Sequence, residues 1–271
     1  MIDQGRAARH WADALAAWAI PQEILDAAPE RQPWRFSPEV FAWTPERAAT
    51  EGPVVTPSRR RALEALGEGG TVLDVGAGGG RASLPLSPPA TFVTAVDSSA
   101  ELLEVFAEAA DREGVDHRIV LGAWPEVAPE VAPADVVVCH NVAYNIADLP
   151  PFVRALSDHA RRRVVLEVTV HHPASNLNEA WRALHGLERP TSPTADDAIA
   201  VLEEMGLEIR WEASERVVHA AGRDRADMVA HARQRLCVGP ERDAEIEELL
   251  GADAGRPLRR IVTIWWDGTA G

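Results

Sequence analysis

Two hundred and seventy-one residues, 46% hydrophobic and 25% charged, suit one large domain, alone or with a smaller lobe, around a sizeable core. A formal charge of −15 repels phosphate backbones and disfavours DNA or RNA as a partner. No apolar run reaches the roughly 18 residues of a membrane span, and the N-terminus lacks a secretory pattern. A cytoplasmic protein is therefore expected.

The first 57 residues read as an arm distinct from the domain that follows over 58–271. Trp11, Leu15 and Trp18 recur at helical spacing, which predicts a helix over 4–19 ending before Pro21. The segment RQPWRFSPEVFAWTPE, with Trp34 and Trp43, is too proline-broken for a long element. It serves either as a packing arm or as a lid over a ligand cleft. Arg59, Arg60 and Arg61 open a helical pattern continued by Ala62, Leu63 and Leu66, and read as its solvated face.

From Thr71 onward, strand and helix patterns alternate. Apolar runs at 71–75, 91–96, 117–121, 135–139 and 163–170 predict strands buried on both faces of a mostly parallel, doubly wound sheet. Helices fall between them. In SSAELLEVFAEAADREG, Ser98 and Glu101 have capping-box spacing, and Leu102, Leu103, Phe106 and Ala110 form the inward stripe. Another helix starts near Asp148 with Pro150 and Pro151 in its first turn, and a third covers about 194–206. Strands at 207–218 and 259–268 flank helical segments around 223–236 and 241–250, with TIWWDG the last strand inserted into the sheet. Pro85 limits any helix after the glycine-rich turn to a short or kinked one. Cys139 and Cys237 have no metal-site spacing; they are expected as buried free thiols, and no bound metal is expected.

The stretch TVLDVGAGGGRASL, from Thr71 to Leu84, reads as a strand, a glycine turn and a helix start, where an open α/β sheet holds its ligand. A dinucleotide fingerprint requires glycine at position 81, and this chain has Arg81. Asp74, two residues before Gly76, would repel a pyrophosphate and attract a cationic ligand. Asp97 closes the next strand, where a carboxylate accepts hydrogen bonds from ribose hydroxyls. Together they favour an adenosine ligand that carries positive charge over NAD.

With VLDVGAGGG at 72–80, AVDSS at 95–99 and ADVVVCHNVAYNI at 134–146, the chain resembles the class I S-adenosylmethionine-dependent methyltransferases. The resemblance implies a seven-stranded sheet of order 3-2-1-4-5-7-6 with strand 7 antiparallel, and S-adenosyl-L-methionine as cofactor. It places the methionine part against Asp74, Gly76 and Gly78, the ribose on Asp97, and the adenine beside Ser98. Where the family often has an acid facing the adenine amine, this chain reads LGAWPE; backbone groups of Ala123 and Trp124 would serve, with the Trp124 indole either on the adenine or in the core.

Methyl transfer needs alignment of the acceptor and exclusion of water, and a base only where the acceptor loses a proton. Asn141 and Tyr144 share the N-x-x-Y spacing of the N-P-P-Y motif of amino-group methyltransferases, but Val142 and Ala143 replace the prolines. The segment is read as lining the methionine and acceptor pockets. His140 and His171 are candidate bases for a hydroxyl acceptor. His171 and His172 are adjacent on an extended segment, so at most one of them faces the site. Residues 174–190 form a capping insertion, with Trp181 and His185 on one helical face. The expected activity is methylation of a small-molecule oxygen or nitrogen acceptor. A noncatalytic binder of the same cofactor and an NAD-dependent oxidoreductase are the alternatives, and oligomeric state is open.

Overall fold

A computed structural model of the chain describes residues 5–30, 33, 55–217, 225–251 and 258–269. Strands β1 (Gly70–Val75), β2 (Ala90–Asp97), β3 (His117–Leu121), β4 (Ala134–His140), β5 (Ala160–Thr169), β6 (Arg210–Val217) and β7 (Leu258–Asp267) form one seven-stranded sheet of order β3-β2-β1-β4-β5-β7-β6. The first five strands pair in parallel, and β7 runs antiparallel between β5 and β6. The apolar runs lack polar alternation because both faces of the sheet are covered. Val72, Val136, Val138, Val165 and Trp265 face α3 (Pro57–Leu66) and α4 (Ala100–Glu113). Leu73, Val75, Val137, Leu166, Ile264 and Trp266 face α1 (Arg6–Ala16), α5 (Leu149–Asp158) and α7 (Ala195–Glu204).

A third, smaller core joins α2 (Gln22–Ala27), α6 (Asn178–His185), α8 (Arg225–Arg235) and α9 (Asp243–Leu250) around Trp181, Val229, Leu236 and Ile246. The segment expected as a capping insertion contains a short 3-10 turn, Pro173–Leu177, followed by α6. The RQPWRFSPEVFAWTPE segment, with Trp34 and Trp43, lies outside the described residues except for Pro33. Among the described residues, no helix is long and apolar enough to cross a membrane.

One local expectation holds and one shifts. The helix after the glycine turn is reduced to a 3-10 turn at Leu84–Leu86, as the position of Pro85 requires. The cap of α4 is Ser99 rather than Ser98: its hydroxyl accepts from the Leu102 N–H at 3.3 Å. Asp97 causes the one-residue shift. Its Oδ1 accepts the Ser99 N–H at 2.9 Å, which keeps Ser98 in the bend outside the helix.

Helix α1 is tied down from both ends. The Glu204 carboxylate accepts the N–H groups of Ala7 and Ala8 at 2.9 and 3.4 Å, placing a negative charge on the helix N-terminus. Fully buried Trp11 donates its indole N–H to the Ile146 carbonyl at 2.8 Å, and Trp18 donates to that of Ser192 at 2.7 Å. The aromatic spacing seen in the sequence is therefore the seam that fixes this helix against the carboxyl ends of the strands.

Candidate active site

The glycine turn folds back onto the end of β2, with the N–H groups of Gly76 and Ala77 both donating to the Val96 carbonyl. Gly76 has φ +70°, and a Cβ there would lie 2.3 Å from Val142 Cγ2, so this position admits no side chain. Gly78, at φ +52°, points its N–H at Asp97 Oδ2, 2.9 Å away. Asp97 therefore has one oxygen on Gly78 and the other on Ser99, and each keeps a free acceptor position. Ser98 and Ala123 stand exposed beyond the ends of β2 and β3, and the Gly122 N–H holds the Asp97 carbonyl at 2.9 Å. The Trp124 indole lies in the core, edge-on to His159, with its N–H directed at the Phe152 carbonyl at 3.4 Å. Only the main chain of Trp124 is left to face a ligand.

Asp74 is completely buried. Its Oδ2 accepts from Ser83 Oγ at 2.6 Å, while Oδ1 is buried with no hydrogen-bond partner. Burial pushes its carboxyl up to about 7; the Ser83 hydrogen bond opposes this shift and the neighbouring charge of Asp97 adds to it. An orphaned carboxylate oxygen beneath a glycine turn is a place prepared for a donor, best of all a cationic one.

Across the sheet, the loop after β4 is held by a residue that sequence reasoning passed over. Glu167, on β5, is 2% exposed and accepts from Ser58 Oγ at 2.5 Å and from Asn141 Nδ2 at 3.3 Å. Its carbonyl accepts the Asn141 N–H at 2.8 Å, and Asn141 adopts a left-handed φ of +61°. This clamp seats Val142 against Gly76. The available signal was a lone acid inside the apolar run RVVLEVTV. His140 is the register partner of Glu167 and is half-buried at the same edge.

The remaining candidates separate. Tyr144 is buried, stacks on Trp11 with ring centroids 5.5 Å apart, and donates its hydroxyl to the Thr169 carbonyl at 2.6 Å. Burial pushes its phenol above the ordinary range, so this group positions and packs rather than moves a proton. His171 is exposed, its carbonyl accepting from Thr169 Oγ1 at 2.6 Å. His172 turns inward instead. It stacks on Trp18 at 4.0 Å, meets the edge of Tyr144 at 5.3 Å, and accepts the Ala174 N–H through Nδ1 at 3.2 Å. Burial, with the charges of Arg189 and Arg235, depresses its pKa to about 4 and keeps the ring neutral. Among the described residues, no group of three or more acidic, histidine or cysteine side chains is placed to hold a metal.

Residues 72–185 match the family model of a methyltransferase domain. Over 156 residues the chain is 30% identical to the ubiquinone biosynthesis O-methyltransferase of Caulobacter vibrioides, covering 53% of this chain and 60% of that relative. The fold is similar to that of the YcgJ protein of Bacillus subtilis, with a TM-score of 0.54, 17% identity and coverage of 79% and 99% of the two chains. It is also similar to magnesium protoporphyrin IX methyltransferase from Synechocystis, solved with bound SAH, with a TM-score of 0.52, 15% identity and coverage of 88% and 92%. The sheet order, the glycine turn against Asp97 and the matched domain agree: residues 72–185 carry a methyltransferase domain, and the fold is that of the class I S-adenosylmethionine-dependent methyltransferases.

Proposed function

We propose that this protein binds S-adenosyl-L-methionine at the carboxyl ends of β1 and β2 and methylates an oxygen or nitrogen of a small molecule. The observation that carries the reading is the pair of carboxylates at one turn: Asp97, pinned with acceptor capacity to spare, and Asp74, buried with one oxygen unpartnered. When bound, the cofactor supplies a methyl group already activated by its sulfonium. Asp97 accepts the ribose hydroxyls, and Asp74 Oδ1 accepts from the amino group of the methionine portion. Gly76 and Gly78 let the backbone approach closely, while Ser98, Ala123 and the main chain of Trp124 border the adenine. Asn141 and Val142 form the wall between cofactor and acceptor. At that wall His140, on the sheet edge, is the group placed to take a proton from an acceptor hydroxyl. His171, exposed beyond Thr169, is the weaker candidate base.

The name of the Caulobacter relative, an O-methyltransferase, supports a hydroxyl acceptor, although this chain spans only 60% of that protein's length. A dinucleotide fits poorly, because its pyrophosphate would meet the Asp74 carboxylate beneath the glycine turn, where Arg81 also replaces the third glycine of the fingerprint. Isothermal titration with S-adenosylhomocysteine and with NADH is the test. Binding of the first alone is the expected result. Binding of NADH alone, or of neither, would overturn the reading, and cofactor binding without turnover over a panel of phenols and amines would leave a noncatalytic binder.

A further inference from the structure

Among the described residues, Arg189 is a cation without a counter-charge. It follows α6 and is 7% exposed, yet of the five N–H donors of a guanidinium only two find acceptors among the described residues: Nη1 on the Ala19 carbonyl at 3.1 Å and Nη2 on the Trp18 carbonyl. Nε is buried with no hydrogen-bond partner. In a chain with 42 acidic residues, no carboxylate among the described residues forms an ion pair with it; the ionisable neighbour acting on it is the thiol of Cys237. The guanidinium carbon lies 5.4 Å from the ring centroid of Trp18 and 5.0 Å from that of Trp181. Such cation–π contacts return only part of what an unpaired ion loses on leaving water.

The surroundings specify what is missing. The rings run from Arg189 over Trp18 to His172, then to Tyr144, three residues beyond Asn141. Arg189 therefore sits on the acceptor side of the sheet edge, away from the nucleoside-facing ends of β2 and β3. The rings beside Arg189 are uncharged or held neutral, and the charge of Arg235 also reaches His172, so these surroundings are electropositive and match an anion. A planar guanidinium fork suits a planar carboxylate. We propose that Arg189 receives the carboxylate of the methyl acceptor, so that the substrate is a small carboxylic acid whose nucleophilic oxygen or nitrogen faces the β4 loop. This inference rests on the methyltransferase reading.

The test is calorimetry on protein first titrated to saturation with S-adenosylhomocysteine, then with benzoate or its neutral isostere benzamide at constant ionic strength. Benzoate is expected to bind saturably and benzamide not. Arg189→Gln is expected to weaken benzoate binding by at least about tenfold, with S-adenosylhomocysteine affinity unchanged. Arg189→Lys, which keeps the charge but not the fork, should fall between the two and decides the matter if the glutamine variant does not fold. Absence of benzoate binding, equal binding of benzamide, or benzoate affinity indifferent to Arg189→Gln or Arg189→Lys would overturn the proposal while leaving the methyltransferase reading in place. Failure of S-adenosylhomocysteine to bind the wild-type protein would remove that reading, and this proposal with it.

Discussion

Asp97 does structural work before any ligand arrives, because its two oxygens hold the Gly78 turn and the start of α4. On the proposed reading, that pre-organisation prepares one carboxylate for two ribose hydroxyls: the rotamer is set by main-chain donors rather than by the ligand. Asp97→Ala is therefore expected to weaken S-adenosylhomocysteine binding by about 1.5–3 kcal/mol, the range for hydrogen bonds to a charged group. Calorimetry on the folded variant checks it, and an unchanged affinity would remove the ribose assignment. Asp74 shows the opposite economy of partners, with one oxygen on Ser83 and one on nothing. Gly76 links the two sides of the site. Its positive φ and the nearness of Val142 make it a point where the cofactor turn and the Glu167-clamped loop meet.

The elements divide into a sheet that any mostly apolar run of this kind would build and an arm whose place depends on a few large contacts. Helix α1 is marked by one buried indole. Trp11 is fully buried, stacked on Tyr144 and bonded to the Ile146 carbonyl. Trp11→Ala removes that ring from the larger core and leaves a main-chain acceptor unpaired beside the acceptor side of the site. The expected loss is about 3–5 kcal/mol of unfolding free energy, read from denaturant melts. A loss within experimental error of zero would show that α1 does not contribute to the cooperative fold. The 3-10 turn at Leu84–Leu86 makes the complementary point: a proline one residue into an element decides its length whatever the fold around it.

Over the whole molecule, two buried groups bend the pH dependence of stability in opposite senses. Asp74 is raised in the fold from an ordinary 3.8 to about 7, so it contributes stability that is fully present below about 4 and lost as pH rises through about 7. His172 is depressed from 6.5 to about 4, so its contribution is present above about 6.5 and lost as pH falls through about 4. Asp74→Asn is accordingly expected to raise the melting temperature of the cofactor-free protein more above about pH 7 than near pH 4. Parallel melting curves at the two pH values would contradict the buried, orphaned state of this carboxylate.

The amino-acid sequence by itself determined the alternation of strands and helices, the glycine turn and the acids at the ends of β1 and β2. These are local matters: apolar runs set which segments are buried on both faces, and a glycine-rich turn after a strand is written in consecutive residues. Only the tertiary structure decided that His172 rather than His171 turns inward, that the Tyr144 hydroxyl is spent on Thr169, and that the Trp124 indole belongs to the core. It also singled out Glu167 and Arg189. The first is held by Ser58, 109 residues away, and the second by the carbonyl of Trp18, 171 residues away. Whether a polar group is paired, buried or left wanting a partner depends on neighbours brought together by the sheet, and no periodicity along the chain records them.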